Sequence, residues 1–150
     1  MSNAARRSIE PEIGDVVGFV EASPDAPVVM INLLRYRAQA QYPDGAPPEL
    51  DTSACTGREA YARYAAVALP EIARAGGRVV WQGSAQATLI GPPDEVWDEA
   101  VLVEYPSRSA FIQMVTRAEY LRGAPHRAAA LEDSRLIATA PVPLDTPPGR

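Results

Sequence analysis

The chain has no lysine, one cysteine and one histidine among its 150 residues. The missing lysine excludes a Schiff-base lysine and a phosphate-loop lysine. The lone Cys55 excludes an internal disulfide and a multi-cysteine metal site, which is typical of a reducing cytoplasm. One histidine gives neither zinc spacing nor a facial triad, so the sequence predicts no metal site. A serine nucleophile elbow and a dinucleotide fingerprint are also missing, and we expect no cofactor.

The chain also lacks an excess of positive charge and a long apolar run. Its net charge of -5 and its pI of about 4.9 argue against a nucleic-acid partner and an anionic membrane partner. No apolar run approaches the roughly 18 residues that a membrane-spanning helix needs. The N-terminal MSNAARRSIE has no apolar segment behind Arg6-Arg7, so neither a signal peptide nor a twin-arginine signal is expected. The sequence therefore predicts a cytoplasmic protein without a membrane partner.

What is present is the composition of an ordinary globular protein. Hydrophobic residues make up 47% of the chain and charged residues 22%. A chain of this length buries about 68–70% of its unfolded surface in one domain. We expect a single domain over residues 1–140, with an N-terminal helix at about residues 11–21, and a proline-rich tail over residues 141–150.

In the first half of the chain, one strand and one long helix follow the N-terminal helix. The β-rich run Val28–Tyr36 predicts the strand, and a polar, Pro/Gly-rich connection over residues 38–55 follows it. Thr56 and Glu59 form a capping box that starts the long helix, and Gly76 ends it. Loops as long as this connection are often lids, although a surface excursion or a dimer arm is equally consistent with it.

The second half predicts two paired strands, a helix, a short helix and a last strand. Residues 77–91 and 97–105 are typical of an antiparallel pair. A helix is expected from Ser107 and a short third helix from near Pro125. Residues 134–140 close the chain as a strand.

Two irregularities are expected within these elements. Pro70 lies inside the long helix and should bend it or break it locally, because proline lacks the N–H that the helix needs. The strand that follows is long enough to carry a β-bulge, which we place near Gly83.

This order predicts an α+β fold of the ferredoxin-like type. The split β-α-β-β-α-β unit places two helices on one face of a four-stranded antiparallel sheet. The N-terminal helix and the short third helix are additions to it. Two helices cover only one face of a sheet, so the other face needs a cover of its own.

The first strand indicates what that cover is. Val29, Ile31 and Leu33 alternate with Met30 and Leu34, so both faces of the strand are apolar. An exposed apolar patch of the size of a sheet is a liability in a monomer. A second copy of the chain is the simplest cover, and we predict a homodimer whose sheets pack face to face.

Four segments of the chain resemble a known family. NLLRY in the first strand, TGREAYARY at the start of the long helix, EYPS after the third strand and HRAAALEDSRLI near the end look like the domain-of-unknown-function family 1330. The resemblance extends from about Pro27 to Ala140. It implies a dimeric α/β barrel of ferredoxin-like subunits and supplies no catalytic residues. The superfamily includes cofactor-free monooxygenases, muconolactone-type isomerases, haem-using enzymes and ligand-sensing domains, and the fold alone does not choose among them.

Asn32 is the first candidate site residue, because a buried amide must find hydrogen-bond partners. It shares a strand face with Met30 and Leu34. If the helices pack on the other face, Asn32 points toward the partner subunit, and we expect Glu104 on the third strand to point the same way. The alternative is structural: Asn32 bonds neighbouring backbone, and Glu104 pairs with an arginine such as Arg35 or Arg127.

The second candidate is the sole histidine, His126, with Arg127 beside it in the first turn of the short helix. The helix dipole at this position lowers the histidine pKa and favours the neutral imidazole. A neutral imidazole beside a permanent cation can serve as a general base next to an anion clamp. The alternative is a structural histidine beside a salt-bridged arginine.

Further residues are candidates for holding a ligand. Arg35 can hold an anionic group, and Trp81 and Tyr105 can line an apolar pocket, although aromatic residues of this kind more often form a core or an interface. Cys55 precedes a helix start, a position that stabilises a thiolate, but no base is identifiable for it.

The leading hypothesis is a homodimer that binds a small molecule and acts without a cofactor, in the manner of an isomerase or a monooxygenase. Its substrate is expected to be a small organic acid or an aromatic metabolite. Asn32, His126 and Arg127 are expected to converge on one cavity. The alternative is a non-catalytic ligand-binding or dimerisation module in which the same residues are structural.

Overall fold

The computed structural model describes residues 8–144. The first seven residues, on which the expectation about a signal peptide rests, and residues 145–150 of the expected tail lie outside the described residues. The helices and strands are, in chain order, α1 Ile13–Ala22, β1 Val28–Tyr36, α2 Gly57–Arg74, β2 Arg78–Ser84, β3 Glu99–Tyr105, α3 Arg108–Val115, α4 Ala118–Leu121, α5 Ala124–Ala130 and β4 Leu131–Thr139.

Local sequence signals set both ends of α2. Thr56 Oγ1 accepts a hydrogen bond from the Glu59 backbone N–H at 3.1 Å, and the Glu59 carboxylate accepts one from the Thr56 N–H at 3.2 Å. The capping box predicted from the sequence is therefore confirmed. At the other end Gly76 has a φ of 81°, in the left-handed region that favours glycine after a helix.

We expected Pro70 to bend α2 or to break it, and a break is wrong, because the helix runs through Pro70 to Arg74. A bend at this position stays a prediction. Pro70 lies on the exposed side of the helix, where water can bind the carbonyl that loses its partner. Ala68 and Ile72, on either side of it, are buried, so packing holds the helix together.

The four strands form one antiparallel sheet in the order β2-β3-β1-β4. Together with the helix order this is the predicted α+β, ferredoxin-like fold, with α1 and the short α4 and α5 as additions. The edge strand β2 ends at Ser84, earlier than expected, and residues 85–98 form a loop between β2 and β3.

The bulge in β2 also differs from the prediction, because the register shifts between Val79 and Trp81 rather than near Gly83. Gly83 has another role. A Cβ at this position would approach the Trp81 indole Nε1 to 2.9 Å, so the missing side chain gives room to the indole.

The helices cover the sheet face that carries Met30 and Leu34. These two residues form the core with Ala60 and Ile72 of α2 and with Phe111 of α3. The prediction for β1 was therefore inverted: Asn32 shares the face of Met30 and Leu34, as expected, but this is the face that the helices cover. A strand that is apolar on both faces cannot indicate by itself which face meets a helix.

The pattern of β3 identifies the covered face. Its residues alternate between buried and half-buried, with Val101 and Val103 among the buried ones. Val101 lies opposite Asn32 and Val103 lies opposite Met30, so all four side chains share a face. We call this side the covered face and the opposite side the free face.

Helix α3 begins as the sequence predicts, because Ser107 Oγ accepts a hydrogen bond from the Ala110 N–H at 3.0 Å. It ends at Val115, and the short helix α4 begins three residues later, at Ala118. Within residues 8–144, no helix is long and apolar enough to cross a membrane.

Candidate functional site

The residues predicted for the site lie on both sides of the sheet. Asn32 and Tyr105 belong to the covered face, and His126 and Arg127 belong to α5, whose residue Ala130 packs in the same core. The remaining three lie on the free face: Arg35, Trp81 and Glu104.

Asn32 uses only part of its hydrogen-bonding capacity. Its Nδ2 donates to the carbonyl oxygen of Val101, on the neighbouring strand, at 3.2 Å. Within the described residues its Oδ1 accepts no hydrogen bond, although the side chain is half-buried. Asn32 therefore makes the backbone contact that a structural amide would make and still has an acceptor and a second donor for another molecule.

A group of polar side chains that the sequence did not single out lies beside Asn32. Glu99 is on β3 two residues from Val101, so it points to the covered face, and only 9% of it is exposed. Its carboxylate accepts a hydrogen bond from the Tyr36 hydroxyl at 2.6 Å and another from the Gln82 amide. Arg58 Nη1 lies 3.6 Å from the same carboxylate, and its guanidinium covers the Tyr36 ring at 4.7 Å from the centroid. We call these four residues the carboxylate cluster.

A row of tyrosines leads from the carboxylate cluster along the helices. The Tyr36 and Tyr61 ring centroids are 5.4 Å apart, and those of Tyr61 and Tyr64 are 5.2 Å apart. Tyr64 and Tyr120 follow at 5.9 Å, with their hydroxyl oxygens 2.8 Å apart. Burial raises the pKa of Tyr61 to about 12, and the nearby Arg127 guanidinium opposes part of this rise. The Glu99 carboxylate and the Arg127 guanidinium both affect the pKa of Tyr61, so this tyrosine is close enough to respond to both charges.

His126 is held by two other residues. Arg63 Nη1 donates a hydrogen bond to the Tyr42 hydroxyl oxygen at 3.1 Å, and this oxygen lies 2.7 Å from His126 Nδ1. An arginine can only donate, so Tyr42 accepts from Arg63 and has its own proton to donate to Nδ1. When Tyr42 donates this proton, Nδ1 is the acceptor and the imidazole is the neutral tautomer with its hydrogen on Nε2. We call Tyr42, Arg63 and His126 the histidine cluster.

The pKa of His126 is lowered, in the direction that the sequence predicts. Burial is the largest cause, and the charge of Arg63 is the second. Within residues 8–144, Nε2 makes no hydrogen bond, and it is not sealed from solvent as Arg37 Nε and Arg108 Nε are. The histidine therefore keeps one ring nitrogen, Nε2, for another molecule.

The histidine cluster also holds the long connection after β1. Arg63 donates to the carbonyl oxygens of Asp51 and Ser53 at 2.9 and 3.1 Å, and Tyr42 belongs to the same connection. Cys55 is buried at the end of this connection, and its carbonyl oxygen accepts a hydrogen bond from the Ala40 N–H at 2.9 Å. The connection is thus fixed to α2 by one arginine.

Arg127 and Tyr105 have neighbours of their own. Arg127 Nη1 donates to the carbonyl oxygen of Ile9, in the segment before α1. Tyr105 is 5% exposed and meets Phe111 edge to face, with the ring centroids 5.3 Å apart. Among residues 8–144, no hydrogen bond joins Asn32, His126 and Arg127 to one another.

The free face has a different character. Glu104 forms an ion pair with Arg78 of the neighbouring strand, so the expectation that it points the same way as Asn32 is wrong. Trp81 is 61% exposed, and Arg35 is also exposed. Four apolar residues lie side by side across the whole sheet on this face, and we call them the apolar row: Trp81, Leu102, Ile31 and Ile137.

Two further features bear on a possible site elsewhere in the molecule. A surface groove of about 270 Å³ lies between the end of α2 and α3, and none of the predicted site residues lines it. No group of three or more histidine, cysteine, aspartate or glutamate residues that could hold a metal ion occurs within the described part of the chain.

Sequence reasoning missed both clusters for different reasons. Glu99 had a detectable signal, because it occupies a covered position two residues before Val101 in the alternating strand β3. Tyr42 had none, because it lies in a connection without periodicity, and only the fold brings it to His126.

Comparison with solved structures finds two close matches. The RPA0582 protein of unknown function from Rhodopseudomonas palustris is 40% identical, with a TM-score of 0.82 over 93% of this chain and 100% of that chain. The methylated RPA0582 protein is 41% identical, with a TM-score of 0.81 over 96% of this chain and 98% of that one. A dimeric protein of unknown function and ferredoxin-like fold from Bacteroides fragilis is 16% identical, with a TM-score of 0.46 over 76% of this chain and 95% of that one.

Comparison with functionally curated proteins gave no match. The model of the family described as domain of unknown function (DUF1330) matches residues 51–140. The match includes α2, the strands β2 to β4 and therefore Arg58, Glu99 and His126. Since it covers more than half of the 150 residues, the chain belongs to the DUF1330 family.

Proposed function

We propose that the protein is a homodimer that binds a small organic acid or an aromatic metabolite on the covered side of its sheet. The observation that carries this proposal is the unused hydrogen-bonding capacity of Asn32. Its amide is half-buried among apolar side chains, yet its Oδ1 and one Nδ2 proton have no partner within residues 8–144. Free polar capacity at the edge of an apolar core is suited to orient the oxygen of a ligand.

The surrounding groups suit such a ligand. The tyrosine row offers aromatic rings, which pack edge to face with an aromatic molecule. Arg127 offers a cation for a carboxylate. His126 offers an imidazole whose neutral form is favoured, because its pKa is lowered. In this proposal Asn32 orients a ligand oxygen, Arg127 holds an anionic group and His126 moves a proton.

The other predicted residues have supporting roles in this proposal. Tyr105 supports the site from the core. Arg35, Trp81 and Glu104 lie on the free face, so in this proposal they belong to the interface between the two copies and not to the ligand site. A cytoplasmic location remains part of the proposal, since a single cysteine is typical of reducing compartments.

A change at Asn32 tests the ligand site. Small organic acids and phenols are screened by thermal shift, and each hit is titrated by calorimetry. Asn32→Leu keeps the volume of the side chain and removes its polar atoms, so we expect binding to weaken by about tenfold, which is roughly one net hydrogen bond. Gln113→Leu makes the same kind of change in the surface groove, and binding should not respond to it. If a hit binds Asn32→Leu as tightly as it binds the native protein, the ligand site does not include Asn32.

An enzyme and a binding module differ in turnover. Proton transfer by His126 without a cofactor limits the enzyme to reactions such as isomerisation, or the oxygenation of an activated substrate by O₂. A hit that is consumed by the native protein and not by His126→Ala supports the enzyme. A hit that binds and is never consumed supports the alternative, a non-catalytic ligand-binding or dimerisation module.

The homodimer has its own support. The apolar row crosses the free face, and ion pairs such as Arg78–Glu104 and Arg135–Asp133 flank it. An apolar centre with a charged rim is the usual anatomy of a protein interface. Sedimentation at micromolar concentration should give a dimer, and a clean monomer would contradict this part of the proposal.

A further inference from the structure

The loop between β2 and β3 carries two adjacent apolar residues that are more exposed than any other adjacent apolar pair in the described part of the chain. Leu89 is 91% exposed and Ile90 is 98% exposed. Such side chains gain nothing from the fold of their own subunit, and their hydration is unfavourable. The pair therefore needs an explanation outside the subunit.

The loop has hydrogen bonds of its own. The Ala85 N–H donates to the Asp98 carbonyl oxygen at 2.9 Å and closes the base. Nearer the tip, Thr88 Oγ1 donates to the Glu95 carbonyl oxygen at 3.2 Å. Two consecutive prolines, Pro92-Pro93, restrict the backbone between them. A loop that is already ordered loses little entropy when its tip becomes buried.

The base of the loop contacts the free face of the sheet. Arg135 lies on that face, opposite Leu33 of β1. Its guanidinium covers the Trp97 ring at 5.0 Å from the centroid, and its Nε lies 3.9 Å from the Glu95 carboxylate. The base of the loop and the apolar row therefore lie on the same side of the sheet.

The loop enlarges the apolar surface that this side offers to a partner. Four strands of about seven residues, spaced about 4.8 Å apart with a rise of about 3.3 Å per residue, have a flat footprint of roughly 450 Å². A stable dimer of standard size buries about 800 Å² of accessible surface on each partner. Two nearly fully exposed aliphatic side chains next to the free face add to the area that a dimer can bury.

We propose that residues 85–98 form an arm that packs Leu89 and Ile90 against a second copy of the chain. The inference rests on the proposed homodimer and adds the segment that holds it together. Because a two-fold axis makes the contact reciprocal, each subunit gives one arm and receives one. The net charge of -5 disfavours an anionic membrane as the occupant.

The test compares two pairs of exposed apolar residues. In one variant, Leu89→Ser and Ile90→Ser are combined. In the control, Val142→Ser and Leu144→Ser are combined, since these residues are 80% and 95% exposed in the C-terminal segment. Sedimentation equilibrium then gives the dimer dissociation constant. We expect the arm variant to weaken the dimer at least about 100-fold, as the loss of two buried aliphatic side chains implies, and the control to leave the constant unchanged.

Each outcome has one interpretation. A dimeric native protein whose dissociation constant is the same in the arm variant would overturn the arm and leave the homodimer standing. A monomeric native protein would overturn both. Hydrogen exchange provides a second measurement: the amides of residues 88–91 should exchange more slowly above the dissociation constant than below it. Equal exchange rates at the two concentrations would overturn the arm even if the variant weakens the dimer.

Discussion

The two faces of strand β1 have similar apolar side chains and very different surroundings. Leu34 is fully buried under the helices, whereas its neighbour Leu33 on the free face is half-buried. Met30 and Ile31 differ in the same way. The side chains do not cause this difference, because all four are large and aliphatic. The comparison teaches that the partner of a face, and not its composition, decides what a residue contributes.

The polar residues of the two faces differ as well. On the covered face, Glu99 is buried and receives hydrogen bonds from Tyr36 and Gln82. On the free face, Glu104 forms an ion pair with Arg78 and its side chain is 39% exposed. Burial makes the first arrangement obligatory, since an unpaired buried carboxylate is costly, while the second contributes little in water.

The largest expected effect separates the two leucines. Leu34→Ala should lower the free energy of unfolding by about 2–5 kcal/mol, because it leaves a cavity in the core. Leu33→Ala removes the same atoms from the free face, so its main effect should be on the dimer dissociation constant. Urea denaturation at one protein concentration, together with sedimentation, measures both quantities. The two variants are also compared at a concentration where the protein is monomeric. If they lose the same unfolding free energy there, the free face is part of the subunit core.

The next effect compares the two glutamates. Glu99→Ala should cost about 1–3 kcal/mol of unfolding free energy, because the hydroxyl of Tyr36 loses its acceptor in a buried place. Glu104→Ala removes an exposed ion pair and should cost less than about 1 kcal/mol. Tyr36→Phe in the Glu99→Ala background provides the control, since it removes the unpaired hydroxyl and should recover part of the loss. No recovery would mean that Tyr36 finds another acceptor.

Local signals made most of the fold predictable from the sequence. The bounds of β1 and the capping box of Thr56 follow from a few neighbouring residues, and both are confirmed. The covered side of β1 did not follow, because a strand that is apolar on both faces has no preferred side. The bulge predicted near Gly83 was wrong for a similar reason. A glycine in a strand indicates either a bulge or a close neighbour, and here the neighbour is the Trp81 indole.

The candidate site was less predictable than the fold, because it depends on contacts between distant segments. His126 attracts attention as the only histidine, but its tautomer depends on Tyr42, which is 84 residues away in the chain. The direction of its pKa shift was predicted from the helix dipole. The structure gives burial and Arg63 as the causes, and neither can be read from neighbouring residues.

The smallest effect that we expect concerns the protonation of His126, which lies on the covered side of the sheet. Its pKa is lowered in the folded protein, whereas the unfolded chain titrates near the ordinary value of 6.5. Below that pH the unfolded chain binds more protons, so the stability due to the neutral histidine is present above pH 6.5 and is lost as the pH falls through the folded pKa. The free energy of unfolding should therefore decrease below pH 6.5, and His126→Gln should remove this part of the decrease.

Nuclear magnetic resonance can follow the same residue directly, because the chain has a single histidine. The imidazole ¹⁵N shifts should report a proton on Nε2 and an acceptor at Nδ1. Arg63→Met removes the nearby cation and should move the pKa of His126 upward, since the charge of Arg63 lowers it. Arg78→Met removes a cation from the free face and should leave that pKa unchanged. If the pKa of His126 moves by the same amount in both variants, it responds to the net charge of the protein. The side of the sheet on which a cation lies would then make no difference to this pKa.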